Sequence, residues 1–414
     1  MRSTVWRRRG RTSAVVSALG ALLLLGGAVA PAATADTMRD REWYLDRMQA
    51  PAMWKVSTGK GITVAVLDTG VIPSVPELTG KVLKGKNFVE PERGAHKDKD
   101  GHGTAMAMLI AGNGVNDQGV KGLAPDARIL PLTVFGSSKE SGTNSIPALV
   151  EAIRYAADSE ARIINMSLAF EYYMVDDKER DQIQQAVDYA IERGKLLLAG
   201  TGNRGDKEND PAYPSASLGV AGVGAIDKTI TVTKFSVSGP QVALAAPGED
   251  IPIRCVEGKP GYCSSWGTSQ ATAIASASAA LIWSKHPDWT GNQVLRVLMN
   301  TAGKPTDGKV PSRYIGYGTV RPRMAVLGDP GDPGPPDVNP LVAARATASP
   351  SPSVSASASP SEDPKPSPTP AAKDEDGQGG TGTTVWLVVG AVAAVIVVGG
   401  AVLLVRRRST GPRY

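Results

Sequence analysis

Four polar side chains in this sequence stand beside glycines at the ends of apolar runs, where a reactive group is both held and reachable. Asp68 closes VAVLDTG, His102 lies in DGHGTAMAMLIAG, Asn203 follows the apolar run of LLLAGTGNRG, and Ser269 stands in WGTSQATA. Taken singly each has an ordinary explanation: a turn-capping aspartate, a capping histidine, a Gly-Asn turn, a small serine packed in a helix. Taken in order they describe nucleophilic catalysis. A serine hydroxyl is a weak nucleophile until an imidazole removes its proton. The imidazole in turn needs a carboxylate to fix its tautomer and stabilise its charged form. A side-chain amide such as that of Asn203 can donate to the oxyanion that the attack creates. Of the three histidines, His96, His102 and His286, it is His102 that lies between glycines, where the backbone can turn sharply.

Groups this far apart in sequence need a frame that brings them together. GITVAVLDTG, RIINMSL, KLLLAG and GVAGVGAI are short apolar runs of strand type, and Ile146 to Ala157, Asp181 to Arg193, Thr268 to Lys285 and Asn292 to Asn300 carry helical patterns. Apolar strands separated by helices predict an α/β fold with three layers, a mostly parallel central sheet covered on both faces. Sites in such sheets gather at the carboxyl ends of strands, and Asp68 and Asn203 fall there. Ser269 falls in the first turn of the helix predicted from Thr268, where unpaired backbone N–H groups and the helix dipole favour a developing negative charge. Ser276 and Ser278 in the same helix read as packing serines.

The two ends of the chain have a different composition. Arginines followed by an apolar run and then Ala33-Thr34-Ala35 read as a secretory signal peptide over residues 1–35. Residues 36–60 form a short N-terminal extension with Trp43, Tyr44 and Trp54 as expected anchors, and residues 61–328 the α/β domain. Residues 329–384 are rich in Pro, Ser, Ala and Gly and read as a linker. Val385 to Val405 carries no charge and as a helix would span about 31 Å, the thickness of a hydrocarbon core. It is expected to be a single transmembrane helix, with residues 406–414, opening on Arg406-Arg407-Arg408, as a cytoplasmic tail and the domain outside the cell. The formal net charge of +5 comes from these ends: without their nine arginines, 36 basic residues face 40 acidic ones. That balance argues against a nucleic-acid surface. Cys255 and Cys263 are the two cysteines, and outside the cell they can pair; a metal site on two thiolates with no histidine nearby is the weaker reading. Glu92, Asp98 and Asp100 are acids of the kind that hold calcium but read rather as a solvated loop, so no metal or other cofactor is expected.

VAVLDTG, GHGT, AGTGN and GTS, in that order, resemble the subtilisin-like serine proteases, over about Trp43 to Met324. The resemblance implies the subtilisin-like form of the α/β fold, Asp68, His102 and Ser269 as the catalytic triad, and Asn203 as the oxyanion donor. INMSL, Ile164 to Leu168, resembles the family's substrate-binding edge strand, so Ser167, Leu168 and Ala169 are expected to bind peptide by strand addition. Arg204 resembles a residue at the mouth of the pocket for the side chain before the cut. A guanidinium there is expected to repel lysine and arginine and to tolerate acidic or small residues, and Ala169, where the family has glycine, to disfavour bulky ones. Ala105 and Ala273 likewise replace a histidine and a proline usual in the family. With His102 as general base, activity is expected to fall through an apparent pKa of about 6–7. The signal peptide, short extension, proline-rich linker and anchor resemble one branch, the mycosins, membrane-anchored proteases of type VII secretion systems. The resemblance thus implies an extracellular, membrane-anchored serine endopeptidase acting on protein or peptide, with a type VII secretion membrane complex as partner. The alternative is a weakly active or inactive scaffold of the same fold that stabilises such a complex.

Overall fold

The apolar runs become strands of one sheet. The computed structural model describes residues 37–136, 145–255 and 261–348. Its strands are β1 (Thr63–Asp68), β2 (Lys86–Asn87), β3 (Arg128–Thr133), β4 (Ile163–Met166), β5 (Phe170–Glu171), β6 (Leu196–Gly200), β7 (Ala212–Tyr213), β8 (Ala221–Ile226), β9 (Val242–Pro247), β10 (Ile251–Arg254) and β11 (Tyr262–Ser265). Its α-helices are α1 (Met38–Arg41), α2 (Trp43–Arg47), α3 (Ala50–Met53), α4 (His102–Ala111), α5 (Ser145–Asp158), α6 (Asp177–Glu192), α7 (Thr268–Lys285), α8 (Gly291–Thr301), α9 (Pro322–Leu327) and α10 (Pro340–Ala348). Seven strands form the central sheet in the order β2-β3-β1-β4-β6-β8-β9, every neighbouring pair parallel.

Successive strand residues point to opposite faces, and both faces are apolar. Val64, Val66, Leu196 and Leu198 join one buried cluster with α4, α7 and α8; Ala65, Leu67, Leu197 and Ala199 join a second with α5 and α6. This is the three-layer arrangement that the alternating pattern predicts. Helix α7 is buried along nearly its whole length, which its Ala- and Ser-rich sequence permits because small side chains let neighbours approach. Helix α6 begins four residues before the expected Asp181, at Asp177, because Asp176 and Glu179 form a reciprocal capping box. Strands β3 and β9 were not legible as strands: Pro131 interrupts one and Pro247 ends the other, and proline cannot donate to a ladder.

The N-terminal extension is fastened to the domain by its aromatics. Tyr44 is fully buried, the Trp43 indole donates to the carbonyls of Glu249 and Asp250, and the Trp54 indole donates to the Leu123 carbonyl at 2.9 Å. At the other end, residues 329–348 are not the start of a free linker. The Arg296 side chain donates to the carbonyls of Pro333 and Val338, Thr290 to that of Pro336, and Asn339 to that of Gly219. A proline-rich strand that buries little apolar surface is held here by its carbonyls, and its fixed φ angles lower the entropy lost on docking. Among the described residues no helix is long and apolar enough to cross a membrane. The expected signal peptide, the rest of the linker, the expected spanning helix at 385–405 and the tail lie outside the described residues.

Candidate active site

Asp68 ends β1 and His102, 34 residues on, begins α4, and the two side chains meet. The His102 Nδ1–H donates to Asp68 Oδ1 at 2.8 Å and Oδ2 at 3.0 Å. Asp68 is 1% exposed and takes a further hydrogen bond from the Thr69 amide at 2.8 Å. With Nδ1 committed to the carboxylate, the neutral ring carries its lone pair on Nε2, which has no hydrogen-bond partner among the described residues. Gly103 makes the approach possible: a Cβ there would lie 2.2 Å from the Gly70 carbonyl oxygen and 3.0 Å from the Asp68 Cβ.

Burial works against the charged imidazolium, but the Asp68 charge and hydrogen bond outweigh it, with Asp100 and Asp98 adding to the field, and His102 is pushed up to about 9. The direction is upward from the ordinary imidazole range expected from the sequence. The His102 side chain keeps 30% exposure, enough to meet a substrate in the cleft.

Asp98, expected on a solvated loop, is 8% exposed. Its Oδ2 accepts from the amide and hydroxyl of Thr104 at 2.8 and 2.6 Å, and its Oδ1 from the Gly101 amide at 2.7 Å and the Thr69 hydroxyl at 2.9 Å. It therefore ties the end of β1 to the start of α4 and holds Asp68 and His102 in register. Burial, and to a lesser degree the Asp68 charge, raise its pKa against the hydrogen bonds that lower it. Glu92 and Asp100 are exposed, and no group of three or more His, Cys, Asp or Glu among the described residues is placed to hold a metal. A lone acid in a loop gave the sequence no signal for this role.

Ser269 is the second residue of α7, half-buried, after Gly267 at φ 148°. That angle favours glycine, and a Cβ there would lie 2.8 Å from the Gln270 side chain. The Ser269 hydroxyl donates to the Ser167 carbonyl at 3.0 Å, and the Ser167 hydroxyl donates back to the Ser269 carbonyl at 2.9 Å. Ser167 is set in turn by the Asn165 amide of β4, whose oxygen accepts from Ser276 of α7. Ser276 and the α7 partner Ser278, which donates to the Ile274 carbonyl, are bonded inside the packing. Asn203 follows β6; its Oδ1 accepts from the Thr268 amide at 2.9 Å and hydroxyl at 3.1 Å. The side-chain oxygen is thus used, and Nδ2 is left as a donor without a partner among the described residues.

Asp68, His102, Ser269, Asn203, Ser167, Leu168, Ala169 and Arg204 all line one cleft of about 850 Å³. Every site residue named from the sequence is in it except the cysteines. These are bonded to each other, Cys255–Cys263, across the β10–β11 hairpin that leads to Trp266 and Ser269. Arg204 is not the free guanidinium expected: it pairs with Glu171 at 3.1 Å and Glu208 at 2.6 Å.

The sequence profile of the subtilase family matches residues 59–318. Mycosin-1 of Mycolicibacterium smegmatis is 31% identical over 333 residues, 69% of this chain and 73% of its own length. The intracellular serine protease of Paenibacillus polymyxa is 34% identical over 58% of this chain and 71% of its own. Among solved structures, MycP1 from Mycobacterium smegmatis superposes with a TM-score of 0.63 at 28% identity, covering 74% of this chain and 89% of that one. A second structure, described as a serine protease MycP1 that is an essential component of the type VII (ESX-1) secretion system, gives 0.62 at 31% identity, covering 71% and 90%.

Proposed function

We propose, from the premise that this chain belongs to the subtilase family of serine proteases, that it is an extracellular, membrane-anchored endopeptidase working through Asp68, His102 and Ser269. The observation that carries the reading is the Asp68 carboxylate on His102 Nδ1, in one cleft with Ser269 and Asn203. The Ser269 hydroxyl turns from the Ser167 carbonyl to His102 Nε2, gives up its proton and attacks the scissile carbonyl. The imidazolium is stabilised by Asp68 and returns the proton to the leaving amine. The oxyanion is met by Asn203 Nδ2 and by the Ser269 amide in the first turn of α7, where backbone N–H groups have no partner within the helix. Water then repeats the sequence on the acyl-enzyme, and peptide adds as a strand along Ser167-Leu168-Ala169.

The apolar, uncharged stretch Val385 to Val405 with arginines after it supports the anchor. Similarity to Mycosin-1 and to MycP1 supports a place beside a type VII secretion complex. One observation favours the second reading, a scaffold with little activity: the Ser269 hydroxyl is bonded to Ser167 and not to the imidazole. Catalytic hydrogen bonds often close fully when substrate is bound, so that geometry is compatible with activity. Cleavage of a mixed peptide library by the protein, and its loss in Ser269→Ala, is the expected result; equal cleavage by the two would remove Ser269 from the reaction.

A further inference from the structure

Beside Asn203, sharing Ala169 and Arg204 with the cleft, is a small pocket of about 50 Å³ walled by Ala169, Gly202, Ala212 and Val237. Its charged lining is Glu171, Glu208, Asp210 and Arg204, three carboxylates to one guanidinium. Arg204 is occupied by two of them, Glu171 and Glu208. Glu171 sits on the pocket wall because β5 pairs with β7, Glu171 opposite Ala212. One of its oxygens accepts from Arg204, and the other, Oε2, is buried. The exposed Tyr173 at the rim is a hydrogen-bonding neighbour of Glu171, and that bond, more than the charge, raises its phenol pKa. With three carboxylates to one guanidinium, the pocket as a whole is left net negative.

We infer that this pocket selects a basic side chain, lysine above all, in the residue before the scissile bond. The inference rests on the cleft being the peptide-cleaving site. It reverses the expectation from sequence, in which Arg204 would turn cations away: an arginine held by two acids presents little charge of its own, and the excess carboxylate decides the sign. A lysine suits the pocket on two counts. Its methylene stem can lie along the small apolar walls, and its compact ammonium can pair with the carboxylates that line the pocket, where a planar guanidinium would have to compete with Arg204 for the same acids.

The test uses covalent probes that place a chosen side chain in the pocket. A fluorophosphonate without such a side chain is compared with peptidyl diphenyl phosphonates that carry lysine, alanine or glutamate at the position before the phosphorus, on the protein and on Glu171→Gln and Arg204→Ala. The rate ratio between two probes within one variant does not depend on how much of that variant is folded. We expect lysine to react about tenfold faster than alanine and faster still than glutamate, the ratio to fall toward unity in Glu171→Gln, and to persist or rise in Arg204→Ala. If the fluorophosphonate labels Ser269 while lysine gains nothing over alanine, or glutamate is preferred, the inference is overturned and the protease reading stands. If the fluorophosphonate leaves Ser269 unlabelled, the protease reading is overturned, and the inference with it.

Discussion

Ser269 and Ser167 exchange hydrogen bonds, each hydroxyl donating to the other's backbone carbonyl at 3.0 and 2.9 Å. The proposed nucleophile is thereby tied to the residue expected to align substrate, and the Ser167 hydroxyl is itself fully engaged, accepting from Asn165 Nδ2 at 3.0 Å. Ser167→Ala would leave the buried Asn165 amide without its acceptor, at a cost of about 1–3 kcal/mol. Urea unfolding should show that loss. A variant as stable as the parent would mean that the exchange does not brace α7 against β4.

The His102 field sets a pH profile. A base must be neutral to accept a proton, so kcat/KM should rise with pH, its midpoint displaced above the ordinary 6.5 toward about 9. In stability the sign is opposite. A histidine whose folded pKa is raised contributes fully below its unfolded value and loses the contribution as pH rises through about 9. Asp68→Asn removes the main cause that raises the pKa and leaves burial, which lowers it, so the residual activity should titrate below the parent's midpoint. An acid limb at or below pH 6.5 in the parent, unmoved in Asp68→Asn, would contradict this.

Asn203 uses one side-chain atom and leaves the other for the proposed reaction. Its oxygen fixes the start of α7 through Thr268, and Nδ2, without a partner among the described residues, remains as a donor on a residue that lines the cleft. Asn203→Ala should lower kcat about 10²–10³-fold with little change in KM, as loss of an oxyanion donor does. A rise in KM at constant kcat would assign the amide to substrate binding instead.

Glu42, between α1 and α2 of the N-terminal extension, is fully buried and accepts from the Lys121 amide at 2.5 Å, while its Oε2 has no partner among the described residues. Burial, against that hydrogen bond, raises its pKa to about 8. The folded state therefore holds a proton that the unfolded chain has released, and stability should fall as pH rises from 4.5 to about 8. Thermal unfolding of Glu42→Gln should lack this slope. If parent and variant show the same pH dependence, the carboxyl is not what couples the extension to pH.

The frame, and the gathering of Asp68, His102, Asn203 and Ser269 in one cleft, were legible in the sequence for the same reason. Short apolar runs such as VAVLD and LLLAG, closed by glycine turns, suit buried strands, and a polar residue at or just past the end of such a strand lies at the rim of the sheet. Thr268 to Lys285 was readable to its last residue because its small side chains and the Gly-Thr before Ser269 announce a packed helix and its start. What could not be read depends on contacts that no local pattern announces. Asp98 is buried by Thr104 and, from the end of β1, Thr69; Arg204 is held by Glu208 four residues on and by the distant Glu171; and residues 329–348 are captured by Arg296 and Thr290. An acid six residues before a threonine, or four after an arginine, is too common to mark a partner, so composition alone suggested a loop, a free charge and a linker.

The central claim is that Ser269 is the nucleophile and His102 its base. Labelling of the protein with a fluorophosphonate, followed by mass mapping of the adduct, addresses it most directly. The adduct should lie on Ser269 and form about 10²–10⁴-fold more slowly in His102→Ala. An adduct on another residue, or labelling of Ser269 that is undiminished without His102, would contradict the account.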